Sequence, residues 1–267
     1  TNKPVIGVLP YLHGFDLEAE DAINSSQVTQ GEAKLNVVVP VFPRISNHTD
    51  FDILRSNPDI NLRYVGPGEH LDRADLIVLP GSKSVRNDLA HLREQGWDKD
   101  IARHIRLGGK VMGICGGYQM LGKSISDPLG IEGEAGRSEG LDYLDLVTEL
   151  APDKTLTNVT GTMMLAGQET EVKGYEIHAG VTQVNEQPLI TLCNGQTDGA
   201  ISDCNQVIGT YLHGIFDASG VLNTVANWVI GDNVTNVNHM QNQEDAINRI
   251  ADAVEEHLNL KLLWPEM

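Results

Sequence analysis

The chain is poor in basic side chains: 19 lysines and arginines stand against 37 aspartates and glutamates, a formal charge of −18 over 267 residues. A surface so short of cations cannot neutralise a nucleic-acid backbone or an anionic bilayer, and only 5% of the residues are aromatic, so neither is an expected partner. Long apolar runs are missing as well. No stretch approaches the roughly 20 residues that a bilayer span needs, and the opening TNKPVIGVLP lacks the charged, apolar and small-residue order of a secretory signal. These absences point to a soluble, cytoplasmic protein. Cysteine is sparse: Cys115, Cys193 and Cys204 are far apart, odd in number and form no C-x-x-C pair. Zinc and dithiol chemistry are therefore not expected, no metal site is assigned, and at least one thiol stays free.

What is present is enough apolar residue, 40% of the chain, to bury a full core in one large domain or one domain with an appendage. Residues 1–33 read as a separate piece. KPVIGVLPYL ends in an apolar run and reads as a strand, whereas HGFDLEAEDAINSSQVTQGEAK is polar and acidic and reads as a linker. A chain that opens on Thr1 with a strand and no earlier partner suggests the tail of a preceding domain. From residue 34 to 267 the pattern becomes apolar runs alternating with amphipathic stretches, the mark of an α/β fold with a mostly parallel central sheet flanked by helices. LNVVVPVF, LRYVG, DLIVLPG and KVMGIC read as buried strands. Val85, Leu89 and Leu92 give one helix an inward stripe, and Ile247, Ile250, Ala251, Val254 and Leu258 do so for a helix near the end. Residues 141–212 hold several short apolar runs whose order the pattern leaves open.

The stretch VMGICGGYQMLGKS, residues 111–124, fits two incompatible motifs. Gly117, Gly122, Lys123 and Ser124 satisfy the phosphate-loop pattern, but that loop needs a helix beginning at its G-K-[ST]. Here Pro128, Gly130 and Gly133 follow at once, so any helix through Lys123 is ending. Gly113, Cys115 and Gly117 satisfy a nucleophile elbow instead: a strand KVMGI, a sharp turn at the cysteine, then two to three helical turns in GGYQMLGKSI before Pro128. Glycines flank the nucleophile because the turn brings backbones too close for a Cβ. A thiol at a helix N-terminus is also more readily ionised. Its base would be a histidine, and His213 is the first candidate because it closes the apolar run VIGTYL and precedes Gly214; His178 in KGYEIHAG is the second. His48, His70, His91 and His104 read as ordinary core or surface histidines.

LPGSKSV, GICGGYQMLG, DPLGIEG, GYEIHAG and GTYLHGIFD, in this order, together with VFPRISNHTDFDIL and GVLPYLHGFDLEAEDA, resemble the glutamine amidotransferase domain of the cobyric acid synthase family, within the class I (triad) amidotransferases. The cobyrinic acid a,c-diamide synthases share the elbow, but PRISNHTDFD favours the former. The resemblance implies a flavodoxin-like three-layer fold, with Cys115 attacking the side-chain amide of glutamine and His213 moving the proton. It implies an oxyanion hole from Gly81, Ser82 and Gly116, and substrate contacts from Gln119, Tyr175 and His178. Many relatives place a Glu two residues after the histidine, where this chain has Ile215. The third triad member is therefore open between Glu176 and Asp217, or is absent or supplied by another domain, and a silent interaction module stays in play. The resemblance further implies a preceding synthetase domain that holds ATP and magnesium and a corrinoid substrate, none of them bound by this chain. A domain at −18 would repel both anions, so this portion is expected only to make ammonia.

Overall fold

A computed structural model describes residues 3–12, 33–237 and 239–264, without the side chains of residues 153, 154, 239 and 240. Most of the stretch read above as a linker, residues 13–32, lies outside the described residues. Contacts divide the chain into two units, residues 1–22 with 237–267 and residues 23–236.

In the larger unit the strands are β1 Leu35–Pro40, β2 Ile45–Ser46, β3 Ile60–Val65, β4 Leu76–Leu79, β5 Gly81–Ser82 and β6 Lys110–Ile114. They are followed by β7 Ser124–Asp127, β8 Gly136–Glu139, β9 Leu146–Leu165, β10 Gln168–Val184 and β11 Ile190–Leu192. The last four are β12 Thr197–Asp198, β13 Ala200–Ile201, β14 Val207–Thr210 and β15 Leu212–His213. The helices of this unit are α1 Asp52–Ser56, α2 Val85–Glu94, α3 Trp97–Arg106, α4 Gly116–Leu121 and α5 Val221–Ile230.

Six strands form the central sheet in the order β13-β14-β6-β4-β1-β3. All neighbours are parallel except the antiparallel edge pair β13 and β14. This is the fold class that the alternating apolar runs predict, and the reason is burial on both faces: Val37, Val39, Ile77, Leu79, Val111 and Met112 are completely inaccessible. Val85, Leu89 and Leu92 of α2 are buried as their spacing requires. The region whose order the sequence leaves open, residues 141–212, supplies most of a second sheet, β12-β11-β9-β10-β15, to which β7 and β8 attach. Its spine is the long antiparallel pair β9 and β10, with a register shift between His178 and Gly180.

Three local expectations are corrected. KPVIGVLPYL is not a strand; its one pairing is an isolated bridge from Gly7 to Leu258, in the smaller unit, because Pro4 and Pro10 remove ladder donors. The helix after Cys115 is six residues rather than two to three turns, ends at Gly122, and gives way to strand β7 before Pro128 is reached. The smaller unit contains α6 His239–His257, whose inward side is set by Ala246 and Ala253, whereas Ile247 is 56% exposed and Leu258 lies past the helix end. Small alanines face inward there, which a stripe drawn through the larger residues misses.

Candidate active site

In an open parallel sheet, loops leaving the carboxyl ends of adjacent strands converge on one crevice. Four neighbours do so here. The segment after β1 carries Asn47 and Asp50, β4 runs into Gly81 and Ser82, β6 runs into Cys115, and β14 runs into Tyr211 and His213.

Cys115 sits at φ 50° and ψ −107°, a conformation that a residue with a Cβ rarely adopts. Its N–H donates to the Thr210 carbonyl at 2.8 Å, which ties the elbow to the strand that leads to His213. The flanking glycines are needed for space. A Cβ on Gly117 would stand 2.1 Å from the Leu79 carbonyl oxygen, and one on Gly113 would meet the Gly117 backbone at 2.7 Å. The thiol is buried and makes a weak contact with the Ile177 carbonyl at 3.6 Å. It opens on a cavity of about 360 Å³ shared with Ser82, Gln119, Glu132 and His178.

His213 is buried, and its Nδ1 lies 2.7 Å from Asp50 Oδ2. The other Asp50 oxygen accepts the Gly214 N–H at 2.8 Å, so the carboxylate is fixed at both ends. Among the described residues Nε2 has no hydrogen-bond partner. Burial disfavours the imidazolium, but the Asp50 carboxylate and the Cys115 sulfur outweigh it and push the His213 pKa up to about 10. At neutral pH the ring is therefore charged, with its acidic Nε2–H turned to the nucleophile's side. The Tyr175 ring stacks on His213 at 5.4 Å and 24°, and its hydroxyl accepts from Asn47 Nδ2 at 2.8 Å.

Neither residue left open as the third member reaches this imidazole. Glu176 Oε2 lies 3.3 Å from His178 Nε2, and Asp217 is exposed in a 3-10 turn, Ile215–Asp217, beyond the histidine. Asp50 takes the position instead, from a 3-10 turn, His48–Phe51, that is 163 residues away along the chain. His178 lines the same cavity but has both ring nitrogens engaged: Nδ1 faces the Gly180 carbonyl at 2.9 Å, Nε2 faces Glu176, and the ring stacks on Tyr211 at 3.8 Å. Gln119 is buried in the same cavity and donates to the Tyr211 hydroxyl at 3.0 Å.

The backbone donors separate. Lys83 N–H donates to the Arg44 carbonyl across the β2–β5 pair. Alternation along an antiparallel ladder then turns the Gly81 N–H toward β2 and the Ser82 N–H away from it, toward Gly116. A Cβ on Gly116 would lie 2.8 Å from the Ser82 nitrogen, which measures how closely the two segments approach. The Ser82 N–H is thus turned out of the β2–β5 ladder beside Gly116, and the Gly81 N–H is turned into it. Ser82 is held there by its Oγ–H, which donates to buried Asp88 at 2.5 Å.

The CobB/CobQ-like glutamine amidotransferase domain matches residues 36–221. The chain belongs to that family. Among curated relatives of the CobB/CobQ-like chain, the cobyric acid synthase of Vibrio vulnificus is 62% identical over 263 residues, 98% of this chain and 54% of its own length. That of Photobacterium profundum is 55% identical over 268 residues, covering 100% and 54%. The chain spans about half the length of the curated relatives it matches. The solved structure of PurLQS from Thermotoga maritima shares the fold at TM-score 0.54 and 17% identity, over 80% of this chain and 99% of that one. A solved glutamine amidotransferase does so at 0.52 and 16%, over 73% and 98%.

The phosphate-loop reading fails inside this family domain on its own geometry. Lys123 Nζ is paired with Asp145 at 2.7 Å, Ser124 is buried in β7, and no helix starts at either, so these residues do not fit a nucleotide. Among the described residues no cluster of three His, Cys, Asp or Glu side chains could hold a metal ion, and no helix is long and apolar enough to cross a membrane. Sequence reasoning missed Asp50 although it lies within the quoted VFPRISNHTDFDIL. The available signal was a buried-type Asp between Thr49 and Phe51, in competition with Asp52 two residues on.

Proposed function

We propose that this chain is the glutamine-hydrolysing half of a cobyric acid synthase. The observation that carries the reading is the buried Asp50–His213 pair, whose free Nε2 faces the side of Cys115 at the elbow. The Cys115 thiolate attacks the amide carbon of glutamine, and the oxyanion is met by the Ser82 and Gly116 amides. His213 Nε2–H gives its proton to the leaving nitrogen, ammonia departs, and a γ-glutamyl thioester remains on Cys115. A water then adds to the thioester with neutral His213 taking its proton, which releases glutamate and restores the thiolate and imidazolium. Asp50 holds the tautomer throughout. Gln119 supports the substrate amide, His178 lines the cavity wall, and Tyr175 backs the His213 ring.

The ammonia passes to a synthetase half of the same enzyme. There ATP and magnesium drive amidation of peripheral carboxylates of adenosylcobyrinic acid a,c-diamide. The acidity of this half, −18, fits a division in which the anionic substrates bind elsewhere. The contact of Asp50 with His213 supports this reading over a silent interaction module. In the full-length enzyme, Cys115→Ala is expected to abolish glutamine-dependent amidation of the corrinoid while amidation from added ammonia persists. Loss of both, or retention of both, would contradict the assignment.

A further inference from the structure

The reaction above needs the Cys115 elbow and His213 to keep one relative placement, and both are tied to residues 210–212. Thr210 ends β14 in the central sheet, and Leu212 opens β15, which pairs with β10 in the second sheet. Tyr211 lies at the break and belongs to neither strand. A chain that leaves one ladder for another has backbone donors without ladder partners, and a buried N–H without an acceptor is costly.

Side chains fill that gap. The Tyr211 N–H donates to Asp198 Oδ1 at 3.1 Å, with Oδ2 at 3.3 Å, and the Leu212 N–H donates to Thr210 Oγ1 at 3.0 Å. The Thr210 hydroxyl itself donates to Asp198 Oδ2. Asp198 ends β12 of the second sheet, and the chain crosses to β13 of the central sheet at Gly199, φ 74°. A Cβ on Gly199 would stand 2.3 Å from the Gly209 carbonyl oxygen, and that close approach sets the Asp198 carboxylate at the end of β14. Asp198 is buried, and among the described residues it is in no ion pair. Burial pushes its pKa up to about 6, against the pull of the Thr210, Tyr211 and Gly199 donors and with Glu176 of β10 adding to the rise. A carboxylate kept ionised at neutral pH without a cation is a poor stabiliser, whereas its hydrogen bonds are strong and directional, so what it contributes is position.

What it positions is the site. The Thr210 carbonyl accepts the Cys115 N–H at 2.8 Å and keeps the cysteine in its positive-φ turn. The Tyr211 hydroxyl accepts from Gln119 at 3.0 Å and meets Thr182 Oγ1 at 2.5 Å. We propose that Asp198 is a positioning residue for glutamine hydrolysis: by fixing Thr210 and Tyr211 it holds the Cys115 elbow in register with His213, an assignment that rests on the glutaminase reading above. Asp198 does not line the cavity at Cys115 and acts through the β14–β15 break.

The test measures glutamate release by the full-length enzyme, in which a misplaced nucleophile lowers kcat while an intact cavity keeps KM. Asp198→Asn preserves the shape and one acceptor but removes the charge. It is expected to lower kcat by roughly ten- to a hundredfold, with KM for glutamine changed by less than about twofold. Thr210→Val keeps the backbone carbonyl, removes the hydroxyl, and is expected to give a kcat loss of the same order. Thr210→Ser restores the hydroxyl and is expected to recover most of that loss. Because the two side chains act through one contact, the double variant Asp198→Asn/Thr210→Val is expected to lose little more than either alone. Should Asp198→Asn fail to fold, the two Thr210 variants carry the test. Wild-type kcat in Asp198→Asn, losses that multiply in the double variant, or a Thr210→Ser variant as slow as Thr210→Val would overturn the assignment. A wild-type enzyme that releases no glutamate from glutamine would overturn the glutaminase reading, and this inference with it.

Discussion

The cavity is flanked by two histidine–carboxylate pairs that look alike in chemistry and differ in construction. His178 and Glu176 are two residues apart on the long strand β10, meet at 3.3 Å, and keep 12% and 15% of their side chains exposed. His213 and Asp50 are 163 residues apart, meet at 2.7 Å, and are 1% and 2% exposed. The local pair has its remaining imidazole nitrogen occupied by the Gly180 carbonyl; the distant pair leaves Nε2 open. A base needs one nitrogen anchored and the other available, and only a partner brought from another strand end does that here. Proximity in sequence is thus a poor guide to which carboxylate serves a catalytic imidazole.

Substitutions can break this contrast in order of effect. His213→Asn is expected to lower glutamine turnover by about a thousandfold or more, the size of a lost general acid and base, and His178→Asn by about tenfold or less; a steady-state glutamate assay checks both. Equal losses would erase the distinction. Asp50→Asn is expected to cost roughly a hundredfold or more in kcat, with KM little changed, because the imidazole loses its tautomer and its counter-charge. It also moves the pH profile. In the wild type, activity that depends on imidazolium is present at neutral pH and lost as pH rises through about 10. Without Asp50, burial dominates and the alkaline limb falls to lower pH.

The same shift has a stability counterpart. The His213 pKa lies above its ordinary 6.5, so the stabilisation it contributes is complete below 6.5 and disappears as pH climbs through about 10. Thermal melts across that window are expected to show a decline that Asp50→Asn flattens. The smallest effect belongs to Glu176→Gln, within about threefold in kcat, since it removes only a partly exposed local pair.

Much of the site was legible in the sequence because its punctuation is local. Gly113 and Gly117 bracket Cys115 for a steric reason that one strand and one helix supply, and Gly214 marks His213 at a strand end. Asp50 was not legible in this way. Nothing between Asn47 and Asp52 states that a 3-10 turn will face a strand end far down the chain, whereas Glu176 and Asp217 lie close to histidines in sequence. Likewise the central sheet announces itself in runs such as LNVVVP, buried on both faces. The β9–β10 pair does not, since Leu156 and Val181 are 72% and 63% exposed and blur the alternation. For α6, the phase was hidden by alanines, which weigh little in an apolar pattern yet occupy the buried positions.

The left-handed turn at Cys115 implies an evolutionary tension. Holding a side-chain-bearing residue there costs about 1–3 kcal/mol, which glycine would not incur. A dead Cys115→Gly mutant is therefore expected to melt at a higher temperature than the living enzyme. A lineage released from selection for ammonia would be drawn toward that glycine.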